Sequence, residues 1–224
     1  LRQAKGGSGF APPHLLFTGP PATGKTTVAR LLGTLFRDLG LLRKGHVVEA
    51  SRATLVASYL GQTAPLVRQA VHDALDGVLF IDEAHSLVSD VRHGGFGAEA
   101  ISTLNLEMER WRGRLVVVAA GYPEAMDAFL AADAGLASRF TERVPFPRYG
   151  IPDLVEILRR MAADLGYTLG PGVPQRAEAW LRAAQRADPA GFGNARTVRT
   201  LLEAMEARTA ARYARGRTAH GGAG

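Results

Sequence analysis

Gly19-Pro-Pro-Ala-Thr-Gly-Lys-Thr26 decides the reading of this chain. It fits G-x-x-x-x-G-K-[ST], the pattern of a phosphate-binding loop, and it stands where the pattern has physical meaning. The apolar run Leu15-Leu16-Phe17 precedes it and an amphipathic run from Thr26 to Leu39 follows. That order predicts strand, loop and helix. Backbone N–H groups of such a loop and of the helix N-terminus cradle phosphates. The expected nucleotide-binding residues are Gly19, Pro20, Pro21, Ala22, Thr23, Gly24, Lys25, Thr26 and Thr27. Lys25 would reach the β- and γ-phosphates of ATP, and the Thr26 hydroxyl would hold Mg²⁺. Ala22 stands where glycine is commoner, and alanine is strained there if the backbone needs a positive φ. The bland alternative is a strand-to-helix turn that binds nothing.

A second signal lies downstream. Leu79-Phe80-Ile81-Asp82-Glu83-Ala84-His85 ends an apolar run with two adjacent carboxylates. At a strand's C-terminal end, Asp82 would orient Mg²⁺ and Glu83 would polarise a water for attack on the γ-phosphate. Open α/β sheets bind ligands at those strand ends. Either carboxylate alone would read as a solvated strand end. Together with the upstream loop they favour ATP hydrolysis over small-molecule kinase chemistry.

Composition sets the bounds. The chain has 224 residues, 46% hydrophobic and 21% charged, as a globular domain, or one domain plus a small one, should have. No apolar run approaches the ~18 residues of a membrane span, and residues 1–13 carry no apolar signal-peptide core. There are no cysteines, which excludes disulfides and Cys-ligated zinc and fits a cytoplasmic location. His14, His46, His72, His85, His93 and His220 are scattered without metal-ligand spacing and read as surface or packing residues. The net charge is +6, which raises nucleic acid as a partner. Much of that excess falls on Arg196, Arg199, Arg208, Arg212, Arg215 and Arg217, however, and a solvated or subunit-facing helix explains it equally well.

Periodicity and punctuation predict strands at 15–18, 46–50, 78–81, 115–120 and 142–146, with helices at 25–39, 52–57, 63–76, 98–112 and 123–131 between them. The expected fold class is α/β: a P-loop parallel sheet flanked by helices. After Pro147 three helices follow, at 151–165, 175–187 and 194–214, without a strong strand. The expected organisation is an N-terminal loop or truncated linker (1–13), an α/β nucleotide-binding domain (14–147), a small all-helical lid domain (148–216) and a flexible tail (217–224).

Taken together, HLLFTGPPATGKTTVARLLG, SYLGQTAP, DGVLFIDEAHSLV, RLVVVAAGYPEAMDAFL, GLASRFTERVPFP and GNARTVRTLLE resemble the AAA+ ATPases, within them the branch named for the CbxX/CfqX proteins. These stretches are collinear from His14 to about Arg212. The branch holds red-type Rubisco activases, EccA-like components of type VII secretion and SpoVK-like sporulation proteins. The resemblance implies a Mg-ATP-dependent ring ATPase, hexameric in the full-length protein, that remodels or threads protein substrates through a central pore. It argues against a nucleic-acid motor or loader, which is the alternative of another class. Within the branch, the phrasing leans toward secretion or sporulation members, with a Rubisco activase as the alternative.

The resemblance also assigns residues. Arg139 matches the arginine finger that enters a neighbouring subunit's site, the alternative being a surface arginine paired with Glu142. Arg196 matches the sensor-2 arginine, with Arg199 as runner-up. Tyr59-Leu60-Gly61 matches the aromatic–hydrophobic–glycine pore loop, and residues 89–98 are a weaker second one. The polar sensor-1 residue of many AAA+ proteins gives way to Gly121-Tyr122; Tyr122 is a candidate for that role, an ordinary turn tyrosine the alternative. Most of the helix expected before the first strand is missing, and Leu1 is not a methionine, which suggests a fragment of a longer protein.

Overall fold

Three apolar runs, each long enough for one buried strand and flanked by turn residues, form the middle of a parallel sheet. In a computed structural model of the chain they are β1 (Leu15–Thr18), β3 (Gly77–Ile81) and β4 (Leu115–Gly121), all buried along their length. The structure describes residues 11–59, 61–92, 95–189 and 191–220, with side chains for all of these except 90–92 and 213–220. The edge strands β2 (Val47–Ala50) and β5 (Glu142–Pro145) are more exposed. The order is β2-β3-β4-β1-β5, with every neighbouring pair parallel. Near-continuous hydrophobicity is what a parallel strand covered on both faces requires.

Side chains alternate between two cores, as a strand's period of two demands. Leu15, Phe17, Val78, Phe80, Val116 and Val118 point to one face, where Ala29, Val28, Leu32 and Phe36 of α1 (Lys25–Asp38) cover them. Leu16, Leu79, Ile81, Val117 and Ala119 point to the other. There they meet α3 (Thr63–Asp73), α5 (Gly97–Arg110) and α6 (Pro123–Ala131) through Val67, Val71, Leu104, Met108, Met126 and Phe129.

The short helices depend on local caps. In α2 (Arg52–Leu55), Thr54 Oγ1 accepts from the Ser51 N–H. Two helices were absent from the sequence expectation: α4 (Ser86–Arg92) and α7 (Ala134–Arg139). Each is too short to show a periodic face. Of the segment 89–98, expected as a weaker second pore loop, 89–92 belong to α4 and 97–98 to α5, and 93–94 lie outside the described residues. α7 is fixed by Asp133, whose carboxylate accepts from the Gly135 N–H at 2.7 Å and from Asn105 Nδ2 at 2.8 Å, a helix start set by a side-chain cap.

The chain divides into two units. The first holds the sheet and comprises Leu1–Pro20 and Gly24–Pro147; the second comprises Pro21–Thr23 and Arg148–Gly224. In the second, α8 (Ile151–Asp164), α9 (Val173–Ala187) and α10 (Ala195–His220) pack around Leu154, Leu158, Ala162, Leu181, Val198 and Leu202. α10 runs past the expected end at 214 and through the start of the expected tail to His220. One glycine, Gly216, weakens a helix by about 1 kcal/mol and does not end it. No described helix is long and apolar enough to cross a membrane.

His14 turns out to be a structural acceptor. β1 starts at Leu15, paired with Val118. The preceding N–H of β4, on Val117, is satisfied by His14 Nδ1 at 2.9 Å. Protonating Nδ1 would set two donors against each other. Burial, reinforced by the positive charges of Arg139 and Arg112, lowers the His14 pKa from 6.5 to about 4. The unfolded chain therefore takes up a proton between pH 6.5 and 4 that the folded chain refuses. Stability is complete above pH 6.5 and falls as pH drops toward 4, with a slope approaching about 1.4 kcal/mol per pH unit. His14→Gln keeps an acceptor and cannot titrate. In denaturant melts at pH 7.5, 6 and 5, its midpoint is expected to fall less with acid than the wild type's, and parallel curves would refute this role.

Candidate active site

The phosphate loop leaves β1 between two neighbouring strands. The Gly19 N–H donates to Gly121 O at 3.0 Å, and the Phe146 N–H donates to Thr18 O at 2.7 Å. A Cβ on Gly19 would fall on the Phe146 carbonyl, so this position accepts only glycine. Ala22 adopts φ 54°, the strained left-handed conformation that its place in the motif threatened. Gly24, at φ 90°, is the N-cap of α1, without a side-chain cap and without an acidic residue in the first turn. The first-turn N–H groups are thus left for an external anion, which is the donor set a phosphate needs.

Lys25 is the first residue of α1 and is buried, 8% exposed. Its ammonium donates to Gly19 O at 2.9 Å and Pro20 O at 2.7 Å. Burial lowers its pKa below the ordinary lysine value, while the charges of Asp82 and Glu83 oppose that shift. The two halves of the motif, 57 residues apart in sequence, therefore act on each other electrostatically across the strand ends. Thr26 is half-buried and Thr27 exposed.

Asp82 and Glu83 follow directly on β3. The Asp82 N–H still donates to Ala50 O of β2 at 2.9 Å, while the Ala84 N–H donates to Ala120 O of β4 at 2.9 Å. The chain crosses between neighbours at Glu83, which takes φ 49° and gives its N–H to Asp82 Oδ1 at 3.0 Å. Both carboxylates are exposed at the sheet's C-terminal end.

The departure at Gly121 has a steric cause. A Cβ there would lie 2.6 Å from Met126 Sδ and 2.7 Å from His85 Nδ1. Tyr122, 45% exposed, meets His85 edge-on with centroids 5.7 Å apart. Sequence reasoning left His85 among scattered histidines; its buried Nδ1 has no hydrogen-bond partner, and the signal was its place two residues after Glu83.

Arg139 ends α7. Its guanidinium donates to Glu109 Oε2 and to Gly135 O, each at 3.0 Å. Its in-chain carboxylate partner is thus Glu109, where the sequence reading named Glu142. Tyr59 lies on the turn between α2 and α3, where the Gln62 N–H donates to Tyr59 O, and its side chain is 71% exposed. Gly61 takes φ 78°. Leu60 lies outside the described residues. In the second unit, Arg196 and Arg199 are both exposed on the first turns of α10. Asn194, which precedes that helix, is fully buried with φ 50°.

Residues 15–148 match the family described as ATPase family associated with various cellular activities (AAA), and residues 151–221 match the AAA lid domain. Protein CfxQ of Xanthobacter flavus is 42% identical over 205 residues, covering 92% of this chain and 64% of that protein. The ESX-3 secretion system protein EccA3 of Mycolicibacterium smegmatis is 44% identical over 204 residues, covering 86% and 34%. A chloroplastic ribulose bisphosphate carboxylase/oxygenase activase of Cyanidioschyzon merolae is 41% identical over 214 residues, covering 95% and 72%. The chain thus spans about a third of EccA3 and under two thirds of CfxQ. Among solved structures, the FIGL-1 AAA domain in complex with ADP shares the fold with a TM-score of 0.54 at 20% identity, covering 75% of this chain and 54% of that one. A phosphate loop on a parallel β1, a carboxylate pair on β3 and these extended identities place the chain among the AAA ATPases, in the branch of the CbxX and CfqX proteins.

Proposed function

We propose that this chain is the motor module of a cytoplasmic, Mg-ATP-dependent ring ATPase that remodels protein substrates by threading them through a central pore. The observation that carries the reading is Lys25, buried at the start of α1 within the field of Asp82 and Glu83. Lys25 and the loop N–H groups bind the phosphates. Glu83 takes the proton of a water whose oxygen bonds to the γ-phosphorus as the bond to the β-phosphate oxygen breaks, leaving ADP and phosphate. The Thr26 hydroxyl and Asp82 would hold Mg²⁺, which would supply positive charge against the charge that develops on the transferring phosphoryl group. Arg139 would stabilise that charge in a neighbouring subunit's site, and Arg196 would contact phosphate from the lid. Tyr59 gives the pore an exposed aromatic that grips extended polypeptide without sequence preference.

Two substrate identities follow from the relatives. A secretion or sporulation partner accords with EccA3, named for the ESX-3 secretion system. A Rubisco substrate accords with the Cyanidioschyzon activase, of which the chain spans 72%. Addition of each substrate to the ATPase reaction separates them.

The hydrolysis rate per subunit is expected to rise with protein concentration as a ring forms. Glu83→Gln should lower it at least about a hundredfold with nucleotide still bound, and Arg139→Ala about a thousandfold. Mixing the two variants is the sharper measurement. A Glu83→Gln subunit supplies an intact Arg139 to the intact Glu83 of its neighbour, so activity should return in the mixture. A concentration-independent rate that survives Arg139→Ala would sink the shared site.

Tyr59→Ala should leave hydrolysis within about twofold, because the residue lies on the turn between α2 and α3 and not on the phosphate loop. It should abolish unfolding of a fluorescent, tagged protein substrate. Retained unfolding in this variant would remove Tyr59 from the pore assignment. DNA-stimulated hydrolysis with steep salt dependence would instead favour a nucleic-acid motor.

A further inference from the structure

Three consecutive carbonyls of the phosphate loop are taken by named groups of the second unit, to which Pro21–Thr23 belong. Pro21 O accepts from Asn194 Nδ2 at 3.3 Å. Ala22 O accepts from the Ala195 N–H at 3.3 Å. Thr23 O accepts from the Tyr149 hydroxyl at 2.9 Å. A fourth bond ties the clamp together, the Tyr149 N–H donating to Asn194 Oδ1 at 3.3 Å. We propose that Tyr149 and Asn194 are positioning residues that hold the phosphate loop in its anion-binding conformation by anchoring its carbonyls.

The argument rests on peptide planarity. In a trans peptide the C=O of one residue and the N–H of the next share a plane and point in opposite directions, and no described peptide here is cis. Anchoring the carbonyls of Pro21, Ala22 and Thr23 therefore fixes the N–H groups of Ala22, Thr23 and Gly24, turned away from the anchors. Those three N–H groups belong to the loop that cradles phosphate. A free loop would have to order them on binding, whereas a clamped loop presents them ready-made. The clamp also holds Ala22 at φ 54°, a conformation that alanine does not keep unaided.

Asn194 is built for the task. It is fully buried, at φ 50°, a region asparagine tolerates better than other side chains with a Cβ. Both ends of its amide are used, the nitrogen toward Pro21 and the oxygen toward Tyr149. Its neighbour Ala195 is the first residue of α10, so Ala22 O satisfies a helix-start N–H that has no intrahelical acceptor. Tyr149 packs against the core of the second unit, and its hydroxyl reaches the loop. The hydroxyl can thus be removed without disturbing the packing.

The inference rests on the nucleotide-binding reading and predicts an effect distinct from it. Tyr149→Phe should weaken binding of a fluorescent ADP analogue about fivefold, the worth of one neutral hydrogen bond. It should raise the KM for Mg-ATP by a similar factor with kcat kept within about twofold, because the loop binds ground and transition states alike. The nucleotide-free melting temperature should fall by no more than about 4 °C, what a bond of that size is worth in a chain of this length. Asn194→Gly keeps the backbone conformation and removes both amide bonds, and should weaken ADP binding more than Tyr149→Phe does.

Lys25→Ala is the control. If the wild type binds ADP, Lys25→Ala does not, and Tyr149→Phe binds as the wild type does, the clamp is overturned while the site stands. If Tyr149→Phe lowers the nucleotide-free melting temperature and leaves affinity untouched, the residue is structural and the proposal also fails. A wild-type chain that binds no ADP overturns the site and the clamp together.

Discussion

Everything this chain can do chemically depends on β1 being paired in parallel on both sides, with β4 and β5. Because β3 also runs parallel to β4, the loops after β1, β3 and β4 all open at one end of the sheet. The phosphate loop, the Asp82–Glu83 pair and the Gly121–Tyr122 turn are brought together by that single constraint. The pairing is specified by burial. β1, β3 and β4 expose almost nothing on either face, and a strand covered on both sides must sit inside a parallel sheet with its backbone groups fully paired. The short reach from Gly19 N–H to Gly121 O then locks the start of the loop to the end of β4.

Three of the four described non-glycine residues at positive φ lie at or beside the site; the fourth, Asp76, precedes β3 at its other end. Ala22, Glu83 and Asn194 all have φ near +50°, each such residue costing on the order of 1–3 kcal/mol. The surroundings over-determine each one. Glu83 is held between Asp82 Oδ1, which accepts its N–H, and Ala84, whose N–H is fixed on β4. Ala22 and Asn194 are held by the bonds that join the loop tip to Tyr149 and Ala195. A carboxylate at a relaxed strand end would splay along the strand direction. The left-handed turn at Glu83, with its N–H on Asp82 Oδ1, takes the chain off the strand direction at this point.

The sheet was legible because its signals are local. Three or four consecutive apolar residues ending in a glycine-rich or acidic turn announce β1 and β3 without reference to anything else, and the sheet's position for Lys25, Asp82 and Glu83 follows from theirs. What could not be read depends on partners far along the chain. His14 is a packing residue only because Val117, 103 positions away, needs an acceptor. Arg139 meets Glu109 on α5, where the nearer carboxylate in sequence was Glu142. α7 exists because Asp133 caps it, and its six residues are too few for a periodic signature. Asn194 carries no motif of its own, and only the fold reveals that both ends of its amide are used.

The same distinction separates engine from cargo. The geometry of the loop leaves little latitude: a Cβ on Gly19 would meet a backbone carbonyl, one on Gly121 would displace the Met126 and His85 side chains, and Lys25 is held by the Gly19 and Pro20 carbonyls. Relatives named for secretion and for Rubisco activation share 44% and 41% identity with this chain, so the sequence of this module does not by itself single out a partner. Partner choice must then be made by residues the engine does not constrain. Surface positions such as the exposed Tyr59 lie outside those constraints, and so do the regions of the relatives that extend beyond this chain.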